Sequence, residues 1–308
     1  MLVKILIIIF GFGLLLWGMY TLRKGLELFA ASKLTQILQE MTATPARGFL
    51  SGMLVTALLQ SSTALTLMTV SFVDARLLPF ENALGLILGS NIGTTITTQL
   101  LAFPLGQFSP LIFGSGALGF LFLPYRWRFL ALAISGLGLL FFALNFLQHA
   151  LAPLIDNASI QNYIQSIGNN HFKGVLIGTL LSALLHSSSA TTGLAMILSQ
   201  EGWINLTSVL AIIFGANIGT CFTAVLASIT NSPAAQRIAL FHVLLNIFGV
   251  VLFFPFLEQI ARLLEFFGDN PARQAANAHT FFNIFSSLLA LPLLPQAARL
   301  LKKLLPQD

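Results

Sequence analysis

Charge is what this 308-residue chain has least of. Asp, Glu, Lys and Arg make up 8% of it against 56% hydrophobic residues, and its mean hydropathy is +0.87. A water-soluble domain of this length needs far more polar surface than that, so an integral membrane protein is the class that fits. Cysteine is nearly missing: Cys221 stands alone, which rules out an intrachain disulfide or a cysteine-rich metal site. The net charge of +5 comes from basic residues placed singly or in pairs. With no polybasic stripe, nucleic acid is not an expected partner, and such residues belong in cytoplasmic loops instead. No acid or base is read in mid-span, which argues against a pump or channel built on buried carboxylates. Gly-x-Ser-x-Gly and Gly-x-Ser-Gly are also absent. That weighs against an intramembrane serine hydrolase with His186, His242 or His279 as base.

What the chain does have is one polar sentence written twice. Gln60-Ser61-Ser62-Thr63-Ala64 returns as His186-Ser187-Ser188-Ser189-Ala190, and Gly89-Ser90-Asn91-Ile92-Gly93-Thr94 as Gly215-Ala216-Asn217-Ile218-Gly219-Thr220. Both pairs are 126 positions apart, and Gly48, Gly52 and Ala57 keep the register with Gly174, Gly178 and Ala183. Gly11-Phe12-Gly13-Leu14-Leu15 recurs as Gly136-Leu137-Gly138-Leu139-Leu140 at an offset of 125. The first apolar stretch therefore belongs to a repeat and is expected to be a retained span rather than a cleaved signal. The units read as a first transport repeat, 5–124, and a second, 128–257. Residues 258–308 supply an extra transmembrane helix and a cytoplasmic tail.

Segments long enough to cross a membrane are 5–22, 84–103, 105–123, 128–150, 206–230, 238–257 and 280–298. Segments 48–73 and 172–198 carry the serine motifs near their middles, and each either crosses once or dips in and returns. Charge favours the dip. With re-entrant hairpins and 23–47 in the cytoplasm, eleven basic residues lie inside: Arg23, Lys24, Lys33, Arg47, Arg76, Arg126, Arg128, Arg237, Arg299, Lys302 and Lys303. Lys4, Lys173, Arg262 and Arg273 lie outside, the bias expected of cytoplasmic loops. The fold expected is thus an all-α integral membrane protein of two inverted-topology repeats, each with a re-entrant helical hairpin and a discontinuous helix.

Three adjacent hydroxyls cannot all face one way in a helix, so the backbone is expected to break at each serine motif, exposing hydroxyls, carbonyls and free N–H groups to a cavity. Neutral oxygens suit sodium, and a half-helix N-terminus suits an anion. The glycines of 89–93 and 215–219 are expected to permit an unwound turn, with Asn91, Thr94, Thr95, Asn217, Thr220 and Thr223 supplying amides and hydroxyls. The alternative is that small and hydroxyl residues serve close helix packing. His242 with Asn246, and His279 with Asn283, share helix faces, and interhelical hydrogen bonding is favoured over a proton relay. An imidazolium at His186 would compete with sodium, so a neutral ring is expected. Asp74 reads as a solvated loop residue.

These motifs resemble the sodium-dependent phosphate cotransporters of type II, which carry two Gln-Ser-Ser-Ser motifs. The resemblance runs over nearly the whole chain, from the Gly-Phe-Gly-Leu opening through both serine and both Asn-Ile-Gly-Thr motifs to the His-x-x-x-Asn pairs. It implies inverted repeats, hairpins carrying the serines, and inward cotransport of inorganic phosphate with sodium by alternating access in a multi-pass cell-membrane protein. The implied binding residues are Gln60, Ser61, Ser62, Thr63, Asn91, Thr94, His186, Ser187, Ser188, Ser189, Asn217 and Thr220. Ser61, Ser62, Ser187 and Ser188 are the candidate sodium ligands, and no organic cofactor is implied. Thr63 keeps a hydroxyl where the family has serine, whereas His186 exchanges an amide for a titratable ring. A homodimer and a separate PhoU-like regulator are the protein partners considered. A transporter of another small oxyanion or carboxylate, coupled to sodium or protons, and a passive channel are the competing readings.

Overall fold

The computed structural model describes residues 2–40, 42, 44–154 and 157–306. The described residues form fourteen α-helices linked by short turns, with no strand among them. In chain order these are α1 (Leu2–Glu40), α2 (Pro45–Leu59), α3 (Ser62–Asp74), α4 (Phe80–Leu101), α5 (Ser109–Phe122), α6 (Tyr125–Leu151) and α7 (Ala158–Asn169). There follow α8 (His171–Leu185), α9 (Ser188–Gln200), α10 (Leu206–Ser228), α11 (Pro233–Phe253), α12 (Leu257–Glu265), α13 (Pro271–Ala290) and α14 (Leu294–Leu304). Five helical stretches are long and apolar enough to span a membrane: Val3–Ala30, Tyr125–Leu154, Leu206–Ser228, Pro233–Glu265 and Pro271–Leu304. A sixth arises if α4 and α5, bent by 77° across a short break, count as one span.

Polarity is distributed as a bilayer demands. Asn91, Asn217, His242, Asn246, His279 and Asn283 are buried, while leucines and phenylalanines face outward. On α2 the exposed large hydrophobic residues are Leu50, Leu54 and Leu58; on α8 they are Phe172, Leu176, Leu180 and Leu184. Spacing by four puts each set on one helix face, and the two stripes match at the repeat offset. With lipid for solvent, such faces need no protein cover, whereas backbone and amide groups do. The chain is a multi-pass membrane protein.

The packing has matched parts. Helix α2 lies along α4 as α8 lies along α10; α1 pairs with α6, which also carries α5. The short arms are shared between halves: α3 touches α4, α10 and α11, and α9 touches α10, α13 and α4.

Three expectations are corrected. Residues 23–40 are not a loop, because α1 runs unbroken to Glu40 and Arg23 and Lys24 lie inside its apolar stretch. The discontinuity expected at 89–93 and 215–219 is absent, since α4 and α10 pass through both motifs as continuous helices. The glycines serve contact instead. A Cβ on Gly89 would sit 1.9 Å from the Phe49 carbonyl oxygen, and one on Gly215 1.9 Å from that of Val175, so backbone touches backbone. Finally, the last apolar stretch, Pro271–Leu304, begins earlier and runs further than the expected 280–298, and 258–308 contains more than one helix. It holds α12, α13 and α14, with α13 starting nine residues before the expected 280.

Candidate functional site

The helix breaks fall at the serine motifs. Helix α2 ends at Gln60 with φ 54° and ψ 28°, and α8 ends at His186 with φ 51° and ψ 32°. This left-handed conformation is uncommon for residues with a side chain. The only other non-glycine residue among those described with positive φ is Arg76. The next residue in each copy restarts a helix. Ser61 Oγ accepts from the Ala64 N–H at 3.1 Å, and Ser187 Oγ from the Ala190 N–H at 3.2 Å. The first serine of each motif is therefore an N-cap. The second and third residues, Ser62 with Thr63 and Ser188 with Ser189, form the opening turn, where backbone N–H groups lack helical acceptors. Ser62, Ser187, Ser188 and Ser189 are buried, while Ser61 and Thr63 are half-buried.

Arg23 ties the two breaks together. From α1 its Nε donates to the Gln60 carbonyl at 2.8 Å, and its Nη2 lies 3.4 Å from Ser187 Oγ. Beside it is a cavity of about 210 Å³ bounded by Tyr20, Arg23, Lys24, Glu27, Leu59, Ser61, Ala64 and Met68. The sequence reading had spent Arg23 on counting loop charges. The signal missed was that no turn or breaker separates it from the preceding apolar run.

Two further residues went unnoticed. Thr66 and Thr192 are 1% and 0% exposed, and neither hydroxyl has a hydrogen-bond partner. They stand one turn after Ser62 and Ser188, at the same 126-residue offset, so the repeated motif is longer than its serines. Gln60 Oε1 is likewise buried and unpartnered, although its Nε2 donates to the Ala57 carbonyl at 2.6 Å.

The asparagines form a second tier. His242 Nε2 is 3.1 Å from Asn91 Oδ1, and the Asn91 amide donates to Asn246 Oδ1 at 3.4 Å. In the other copy His279 Nε2 is 3.3 Å from Asn217 Oδ1, and its Nδ1 is 3.0 Å from Thr98 Oγ1. An amide oxygen only accepts, so each ring bears its proton on Nε2. His242, Asn246 and His279 thus reach the motif asparagines from neighbouring helices, as the packing reading expects, whereas Asn283 donates to the His279 carbonyl of its own helix and its Oδ1 has no partner. Thr94 and Thr220 turn to carbonyls of their own helices, and Thr220 also meets Ser182 at 2.9 Å. His186 stands apart: it is exposed, its Nδ1 3.0 Å from Thr223 Oγ1, whereas its counterpart Gln60 is buried. Among the described residues no cluster of three His, Cys, Asp or Glu is arranged to hold a metal.

A doubled break, a doubled N-cap and a doubled asparagine tier describe a duplicated core, and the family model described as Na+/Pi-cotransporter matches the chain twice, over residues 14–149 and 151–268. The chain belongs to the Na+/Pi-cotransporter family. The chain is similar to "Uncharacterized protein YqeW" of Bacillus subtilis, 35% identical over 84% of this chain and 85% of that protein's length. "Putative inorganic phosphate export protein YjbB" of Salmonella typhimurium is 31% identical over 82% of this chain, which spans 47% of that relative. A shorter match, 45% identical over 60 residues, links 20% of the chain to 9% of "Sodium-dependent phosphate transport protein 2A" of Oryctolagus cuniculus. No solved structure matches. Membership makes this chain a multi-pass protein of a family of phosphate transporters.

Proposed function

We propose that the chain is a secondary active transporter that couples movement of inorganic phosphate to sodium by alternating access. The observation that carries this reading is the pair of left-handed breaks at Gln60 and His186, each followed by a buried helix start rich in hydroxyls. Helices α2 and α8 have 15 residues each, about 22 Å at 1.5 Å per residue. That falls short of a hydrocarbon core of about 30 Å, which supports re-entrant hairpins with their tips inside the bilayer. On this reading residues 5–124 and 128–257 are inverted repeats, and 258–308 closes the bundle with the His279 tier.

The division of labour follows from donor chemistry. Ser61, Ser62, Ser187 and Ser188, with the spare oxygens of Gln60, Thr66 and Thr192, offer neutral ligands to sodium. The N-termini of α3 and α9 offer N–H groups and positive dipole ends to phosphate. Asn91 and Asn217 shape the chamber between them, along with Thr63, Thr94, Ser189 and Thr220. Sodium bound first reduces the cost of bringing a phosphate anion into the membrane.

The test is uptake of radiolabelled phosphate into proteoliposomes under an inward sodium gradient against an equal potassium gradient. Overshoot with sodium alone is expected, and Ser188→Ala should lower uptake at least tenfold. Equal, non-overshooting uptake in both cations would overturn sodium coupling. Export is a second reading, supported by the printed name of the relative from Salmonella typhimurium. Phosphate loss from preloaded cells, faster with the protein than without it, would favour that direction.

A further inference from the structure

We propose that Arg23 is an anion-recognising residue of this transporter, a fixed positive charge that phosphate takes over from the two serine-motif tips. The inference rests on the transport reading and adds to it a residue outside both motifs. Arg23 sits in the apolar stretch of α1, where a cation is costly unless it is answered. Its partners in this state are both neutral, the Gln60 carbonyl and the Ser187 hydroxyl. The ion pairs among the described residues are Lys24 with Glu27 and Lys302 with Glu81, so no carboxylate answers Arg23.

The surroundings are those of an anion site. Ser61 lines the cavity that Arg23 lines, and Ser61 caps the helix whose first N–H groups belong to Ser62 and Thr63. An oxyanion seated there meets a guanidinium fork on one side and a helix N-terminus on the other. Lys24 and Glu27 line the same cavity and pair with each other at 3.4 Å, so their charges offset and the net positive charge there is that of Arg23. The guanidinium has five donors in a rigid fork, and two of its nitrogens are engaged here by acceptors weaker than a phosphate oxygen. Phosphate can therefore draw the guanidinium from Gln60 and Ser187, releasing the tie between the tips as it binds. Substrate recognition and unlocking become one event. A fixed charge at this point also does part of the work of a bound sodium ion.

The experiment is thermal stabilisation of the purified full-length chain by inorganic phosphate, in sodium and in potassium. Arg23→Gln should raise the half-saturating phosphate concentration at least tenfold while moving the sodium-induced shift less than twofold. Arg23→Lys, which keeps charge but loses the fork, should fall between that variant and the wild type. A phosphate response in Arg23→Gln within threefold of wild type would overturn the inference and leave the transport reading intact. A wild-type chain stabilised by neither phosphate nor sulfate would overturn both. Stabilisation by sulfate alone, lost in Arg23→Gln, would uphold the arginine's role and overturn phosphate as substrate. Should Arg23→Gln not fold, modification of wild-type Arg23 by an arginine-directed dicarbonyl, followed by mass spectrometry, decides the matter. Phosphate is expected to slow it at least fivefold, and an unchanged rate would sink the proposal.

Discussion

At the scale of the residue, the chain places side chains where their ordinary preferences are violated and does so in duplicate. A glutamine and a histidine adopt the left-handed conformation that glycine usually takes, and the hydroxyls of Thr66 and Thr192 are buried without partners. Leaving a buried hydroxyl unsatisfied costs about 1–3 kcal/mol, so valine at either threonine should not destabilise a protein that used it only for packing. We expect Thr192→Val to retain or slightly raise the melting temperature while lowering apparent sodium affinity at least tenfold. Sodium titration of both proteins by thermal shift checks this, and an unchanged sodium response would remove Thr192 from the site. The serines were legible in the sequence because three adjacent hydroxyls in an apolar run are conspicuous. Thr66 and Thr192 were not, because a single threonine in such a run reads as packing until its lack of a partner is seen. His186 differs from its counterpart Gln60: its place in the motif suggests a ligand, and in the left-handed turn its exposed ring meets Thr223.

At the scale of the element, glycine was read for the wrong property. Both Asn-Ile-Gly-Thr motifs promised an unwound turn through conformational freedom, and both helices run straight through them because the missing Cβ is needed for contact. Composition alone cannot separate these uses; only the partner helix can. Gly215→Ala would push a methyl onto the Val175 carbonyl and should cost about 1–3 kcal/mol, the usual range for overpacking, read as a lower melting temperature. The ends of elements carry their own ties. Asp74, expected in a solvated loop, is the last residue of α3 and accepts from the Ser232 backbone N–H at 2.8 Å, at the start of α11. That bond holds its carboxyl below the ordinary carboxylate range. A carboxylate so depressed contributes stability above its unfolded pKa and loses it as pH falls through the folded value. The loss therefore begins below about pH 4. Asp74→Ala should narrow the melting-temperature difference between pH 7 and pH 3; an unaltered difference would show that the bond is not made in solution.

At the scale of the whole molecule, the order of apolar segments and the twofold pattern are legible in the sequence, since hydropathy and a fixed offset are properties of the chain alone, but the seven expected crossings become five among the described residues, or six with α4 and α5 taken as one bent span. How the halves meet was not. The crossing of α3 onto α10 and α9 onto α4, and the reach of Arg23 between breaks, are contacts over long sequence separations that no local pattern encodes.

The glycine contacts have a mechanical consequence. Where backbones touch, two helices cannot slide or roll past each other without collision, so α2 with α4 and α8 with α10 behave as welded bars. Helices α1 and α6 form a third such bar, because a Cβ on Gly136 would lie 2.1 Å from the Leu22 nitrogen. Movement is left to the seams between bars, and the Arg23 cavity opens on one of them. Cysteines at Phe10 and Phe146, whose rings are 5.7 Å apart within the α1–α6 bar, should tolerate cross-linking with little loss of phosphate flux. Cysteines at Tyr20 and Met68, which line the cavity from α1 and α3, should halt it when joined by a cross-linker that spans the cavity and recover it on release. The same missing methyl groups that let the helices come so close would then decide which joints of the machine can turn.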